Sequence, residues 1–363
     1  MATDLALAGT RRRGVSRRAA PALASVGLAG LLAALVGQPA QAQGLKAAMQ
    51  QDPACRSLIP VSAGGRAPKD PDTLVIRWLS LSNYELAYRN QVFLLDAYYD
   101  QVSRRHPIGV ALADITRANA VFIGHAHFDR IADVPAIARA TGATIVGAEA
   151  GTSDYLKRMA VPTKQFRAVR NGDVLEYAGV AVEAVLGSHG DATTLKVPPE
   201  RLQKQQAAIR EAALQQPLTE IEQKRDTTIR ARSSADPRVL TDGVMNYLFT
   251  FGGSFRVLFA DTNGGITDAQ RQLAQRVPGI DVAMLPYIYF DSGIPSLVDL
   301  VSLLRPSTLF LNSHDGIGTM GWASNYPAAL AVREASPTTR TMDVVYRTPV
   351  CVNTRSKDVV VGW

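Results

Sequence analysis

Ala120-Val121-Phe122-Ile123-Gly124-His125-Ala126-His127-Phe128-Asp129-Arg130 runs apolar for four residues, breaks at a glycine and then delivers two histidines and an aspartate. A short β-branched and aromatic run closed by a turn signal reads as a buried strand. A tight turn after it can aim both imidazoles and the carboxylate into one space. The same arrangement returns three times: Val185-Leu186-Gly187-Ser188-His189, an apolar run at 255–260 followed by Asp261, and Leu309-Phe310-Leu311-Asn312-Ser313-His314. Strands that each end in a candidate ligand can gather those ligands along one sheet edge, which scattered core histidines have no reason to do. Of the five histidines, only His106, before Pro107 in a basic stretch, falls outside this pattern and reads as structural.

Working outward, strand patterns are expected at 73–78, 91–97, 143–147, 174–186, 244–251, 281–285, 307–311, 344–347 and 359–361. Helical patterns fall at 131–140, 153–159, 268–275, 296–304 and 328–334, and Gly252-Gly253 reads as a hairpin turn. Both halves mix hairpins with helices, so an α/β (α+β) sandwich of two sheets faced by helices is expected, rather than a doubly wound sheet. Residues 43–71 read as an arm over the surface of a domain at 72–363. The segment 197–232, rich in Gln and alternating charge, reads as an exposed helical insertion that is either a rim of the site or a solvated excursion.

The ligand types suggest metal chemistry. Three imidazoles, from His125, His127 and His189, suit zinc with one position left for water. Asp129, Asp261 and His314 form a harder, oxygen-richer second position for zinc, manganese or iron. Two ions would generate a hydroxide near neutral pH and stabilise developing negative charge.

The ordered set His125-x-His127-x-Asp129, His189, Asp261 and His314, each after a strand, resembles the metallo-β-lactamase superfamily over about residues 73–350. The resemblance implies an αββα four-layer sandwich. It places one metal on His125, His127 and His189, a second on Asp129 and His314, and Asp261 between or beside them. It also implies hydrolysis by a metal-bound hydroxide, with Asp129 catalytic, and zinc, as two ions, as the cofactor. One position departs from the family: HxHxDR stands where most of its hydrolases carry HxHxDH. Arg130 either faces an anionic group of the substrate or pairs with Asp133 or Asp114. An ester-like bond, phosphodiester or lactone, is expected over a β-lactam amide; the alternative is an exported metal-binding protein without catalysis.

Tyr155, Tyr287 and Tyr289 are further candidates for substrate contact, as is the Asn83-Tyr84-Glu85 stretch, although each also suits packing. Asp261-Thr262-Asn263-Gly264-Gly265 lacks the Lys-Ser/Thr of a phosphate loop, so its glycines read as room for a turn. No Gly-x-Ser-x-Gly elbow occurs, which leaves a serine triad without an obvious nucleophile.

The net charge of +7 is largely local, since five arginines lie within the first 18 residues. With the Ala/Leu/Gly run that follows and Gln38-Pro39-Ala40-Gln41-Ala42, they read as an export signal of the twin-arginine type, cleaved after Ala42. A retained anchor or a basic nucleic-acid arm is the competing reading. Beyond residue 42, 34 basic and 31 acidic side chains remain, so no nucleic-acid partner is expected. A periplasmic or secreted protein without a stable membrane anchor, acting on a small-molecule or lipid-like substrate, is expected. Cys55 and Cys351 then suit either one disulfide between the ends of the domain or two buried thiols.

Overall fold

The computed structural model describes residues 52–101, 109–191, 193–215, 217–287, 293–315 and 324–361. The arginine-rich leader with its cleavage point, His106 and Tyr289 lie outside the described residues.

Two mixed sheets form the body. In the first, β1 (Thr73–Ser80), β2 (Asn83–Tyr88), β3 (Gln91–Leu95), β4 (Ala120–Phe122), β5 (Thr144–Ala148) and β6 (Phe166–Val169) are joined by β14 (Pro349–Asn353) and β15 (Val359–Val361), in the order β15-β14-β1-β2-β3-β4-β5-β6. The second contains β7 (Val174–Tyr177), β8 (Val180–Leu186), β9 (Met245–Phe251), β10 (Phe255–Phe259), β11 (Val282–Pro286), β12 (Thr308–Asn312) and β13 (Arg340–Met342), in the order β13-β12-β11-β10-β9-β8-β7.

Both faces of each sheet are covered. The inner faces meet through Ile76, Trp78, Tyr84, Phe93 and Phe122 from one sheet and Val182, Tyr247, Phe249 and Phe259 from the other. The short α1 (Phe128–Ile131) follows the turn after β4. On the outer face of the first sheet, Val75, Leu94, Val121 and Ile145 pack with Val134, Ile137 and Ala138 of α2 (Val134–Thr141) and with Tyr155 and Leu156 of α3 (Asp154–Arg158). Outside the second, Leu258, Leu285 and Leu309 pack with α6 (Asp268–Arg276), α7 (Ile294–Leu304) and α8 (Tyr326–Ala335). The result is the expected αββα order.

Strand direction positions the site. The pairs β3-β4, β4-β5, β10-β11 and β11-β12 are parallel, so their C-terminal ends share an edge. Two antiparallel steps, β8 to β9 and β9 to β10, turn β8 to the same direction as β10. His125, His189, Asp261 and His314 all follow strands that run this way.

The differences from expectation have local causes. The 174–186 run is a hairpin, β7 and β8, and residues 344–347 are a turn between β13 and β14. β2 escapes the apolar pattern because it carries Asn83 and Glu85, both buried. Glu85 accepts the backbone N–H groups of Val61 (2.9 Å) and Ser62 (2.6 Å), and lies 3.7 Å from Arg77. It therefore anchors the N-terminal arm and does not line the cleft. The 197–232 segment forms α4 (Pro199–Gln215) and α5 (Glu220–Arg230), the latter opened by a Thr219–Glu222 capping box.

Cys55 and Cys351 are joined by a disulfide, with both residues buried, which fastens the arm to β14 across 296 residues of sequence. Closing so long a loop restricts the unfolded chain. Replacing both cysteines by serine is expected to cost about 2–5 kcal/mol in urea unfolding. An unchanged midpoint would show that the arm adds no stability through this link.

Candidate metal centre

The turn after β4 is held from several sides. Tyr247 donates its hydroxyl to Ile123 O (2.8 Å), Met245 N–H to Gly124 O (2.7 Å), and Gly124 N–H to Asp96 Oδ1 (2.9 Å). A Cβ at Gly124 would stand 2.1 Å from the Asp261 carboxyl carbon, so only glycine lets that carboxylate reach beneath the turn. His127 then stands at the N-cap position of α1, its side chain making no capping hydrogen bond. On the other side, Gly264 packs so closely against His189 that a Cβ would lie 1.9 Å from His189 O. Gly264 N–H donates to Ser188 O (3.0 Å), and Gly190 N–H to the Thr262 hydroxyl (2.9 Å). The Gly-rich loop therefore shapes the His189 turn, as its sequence suggests.

His125, His127 and His189 converge, with one candidate ligand atom from each within 4.8 Å of the others. Their ring centroids are 4.5, 5.0 and 4.9 Å apart in pairs. His125 is buried, whereas His127 and His189 are partly open to solvent. Asp261 Oδ2 lies 2.5 Å from His125 Nδ1. Burial pushes the Asp261 carboxyl up, but His125 and Arg130 outweigh this and hold it below the usual range. The ionised carboxylate can only accept, so Nδ1 of His125 donates to it and Nε2 is the ring nitrogen turned toward the other two histidines. That nitrogen sits 2.9 Å from His127 Nδ1. Burial, with His125 close by, lowers His127 to about 3; burial and His125 lower His189 to about 4. Three imidazoles held this close are a donor set that fits a divalent cation.

Asp129, Asp261 and His314 are placed differently. Asp129 Oδ2 lies 2.8 Å from Arg130 Nη1, and Asp261 Oδ2 lies 3.3 Å from Arg130 Nε. Nη1 donates to Asp129 O and Nη2 to Asp261 O, each at 3.2 Å, while Asp96 Oδ2 lies 3.6 Å from Nε. His314 stacks on Trp78 with centroids 4.7 Å apart, and its Nε2 is 3.3 Å from Asn325 Nδ2. Among the described residues, the histidine triad is the one group of three such donors that converges.

Several sequence candidates move away from substrate contact. Arg130 is buried and bound to carboxylates other than Asp133 and Asp114. Asp133 instead accepts from Tyr99 N–H (2.6 Å) and Asp100 N–H (2.7 Å), and Asp114 from Ala111 N–H. Tyr155 is buried and donates to Ala132 O (3.2 Å), and Tyr287 is buried in the cluster with α7 and α8. Sequence reasoning missed Asp96, Trp78 and Tyr247, whose partners come from distant strands; the glycine directly before the histidines was the visible signal for Gly124. From the insertion, α5 reaches the rim: Ile229 packs with Leu81, Tyr98 and Ala132, and Ser233 just beyond accepts Phe128 N–H (2.9 Å).

A sequence model of the family described as Beta-lactamase superfamily domain matches residues 91–336. A novel metallo hydrolase from the hyperthermophilic archaeon Ignicoccus hospitalis is similar in fold, with 14% identity and a TM-score of 0.53, covering 77% of this chain and 98% of that one. A diiron β-hydroxylase from Streptomyces venezuelae shows 15% identity and a TM-score of 0.51, covering 78% of this chain and 55% of its own, so this chain spans about half of it. No curated protein matches the sequence.

Two outcomes follow from the packing. Gly124→Ala must displace Asp261 from His125, and metal retention after desalting is expected to fall sharply relative to wild type; full retention would mean that the carboxylate is not needed to hold the histidine triad. Burial raises the Asp133 carboxyl to about 6, above its unfolded value. Between about pH 4 and 6 the folded state therefore holds a proton that the unfolded chain has released, and stability falls as pH rises through that window. Asp133→Asn is expected to flatten this slope in pH-dependent melts, and an unchanged slope would contradict the assignment.

Proposed function

We propose that this chain, which belongs to the β-lactamase superfamily, is a metal-dependent hydrolase whose ion is held by His125, His127 and His189. The observation that carries this reading is the convergence of three imidazoles, one of them oriented by a buried carboxylate. A zinc-type ion bound there would supply Lewis acidity and make water a usable nucleophile near neutral pH.

The chain's own groups do the rest. Asp261 fixes the tautomer and direction of His125. His127 and His189 stay unprotonated through the physiological range because burial disfavours their charged forms. Asp129, held at Oδ2 by Arg130, orients the nucleophilic water and accepts its proton. The partly open edges of His127 and His189 admit substrate. Arg130 is tied to carboxylates and does not release a proton at neutral pH, so it offers no acid to a departing amine. An ester-like bond, phosphodiester or lactone, needs less help to its leaving group and is the favoured substrate class over a β-lactam amide. The leader at the N-terminus supports export to the periplasm or beyond.

The test is a screen of zinc-, manganese- and iron-loaded protein against bis-p-nitrophenyl phosphate, lactones and nitrocefin. Cleavage of an ester-like substrate is expected, and His127→Ala is expected to lower it by about 10³-fold or more, a loss of about 4 kcal/mol in transition-state stabilisation. Metal binding without turnover on any substrate would favour a binding protein on the same scaffold, and nitrocefin cleavage alone would favour the amide hydrolase.

A further inference from the structure

We propose that the Arg130 guanidinium takes the place of a second cation, so that the centre holds one metal ion. This rests on the reading that the three histidines bind a metal. Arg130 lies where the order of ligands would otherwise put a second ion: beside Asp129 through Nη1 and beside Asp261 through Nε, with its remaining N–H groups reaching the backbone oxygens of the same two residues. A guanidinium stays charged at any working pH, and the carboxylates of Asp129, Asp261 and Asp96 lie 2.8, 3.3 and 3.6 Å from it. A divalent ion between the same carboxylates would meet that charge at close range in a site with little solvent to screen it.

The donor atoms have other uses as well. Asp261 Oδ2 is committed to His125 Nδ1, which makes Asp261 a positioning residue for the triad. Its Oδ1, without a hydrogen bond among the described residues, is one oxygen where an ion needs three or four donors. His314 is stacked on Trp78 beside Asn325, and among the described residues it does not come together with Asp129 and Asp261 as a group of three donors. The third acid near the guanidinium, Asp96, is pushed well up by burial and by Asp261, and is held by the Ser82 hydroxyl and Gly124 N–H. One arginine therefore pairs with both of the carboxylates that a second metal would otherwise use.

The experiment is a metal count. Full-length protein is loaded with excess zinc, desalted, and measured by inductively coupled plasma mass spectrometry and by native mass spectrometry. Wild type is expected to hold one equivalent, and Arg130→His, with native circular dichroism, to hold two. Because that variant can fail to fold, Asp129→Asn supplies an independent check: the count stays at one and the zinc Kd changes by less than about threefold, whereas loss of a group that holds or orients the metal costs about tenfold or more. Two equivalents in wild type, one in folded Arg130→His, or a tenfold weaker Kd in Asp129→Asn would each overturn the proposal. Zero equivalents in wild type would overturn the metal reading itself and this proposal with it, whereas two equivalents would leave that reading standing.

Discussion

One carboxylate joins the two halves of the sandwich at the place where chemistry is expected. Asp261 follows β10 in the second sheet, passes beneath Gly124 at the end of β4 in the first, and meets His125 Nδ1 at 2.5 Å. A buried charge is costly unless it is paired and hydrogen-bonded. Asp261 is both, through His125 and Arg130, and the requirement to keep it so constrains every neighbour. Gly124 cannot carry a side chain, and the turn above it is held by Tyr247 and Met245 from β9 and by Asp96 after β3.

The strand directions make this meeting possible. Because β3, β4, β8, β10, β11 and β12 finish at the same edge, residues more than a hundred positions apart arrive together without long loops. The two cores outside the sheets, and the aromatic core between them, stiffen the strands from which the site projects. The candidate ligands therefore sit at the ends of rigid elements, the arrangement that holds a donor set in place before an ion arrives. The disulfide and Glu85 act on the first sheet, pinning the arm to β14 and β2.

The histidine triad is legible in the sequence because its signal is local: an apolar run, a glycine and then a histidine is written within a few residues. The sandwich is legible for the same reason, since most strands carry continuous apolar runs. What does not show is pairing across the fold. Arg130 sits next to Asp129 in sequence, yet its other partners, Asp96 and Asp261, come from the ends of β3 and β10, and Asp133 is occupied by Tyr99 and Asp100. β2 looks too polar for a buried strand, because nothing nearby announces that Val61 and Ser62 will satisfy Glu85. Tyr155 and Tyr287 follow turns and strand ends as binding residues often do, but their rings turn into the core.

What the three imidazoles hold can be read directly by X-ray absorption at the metal edge of the zinc-loaded protein. Three imidazole nitrogens are expected at about 2.0 Å, with the outer-shell pattern of histidine rings, and no metal–metal scattering at about 3.5–4 Å. Ligation by oxygen alone, without histidine scattering, would contradict a metal held by His125, His127 and His189.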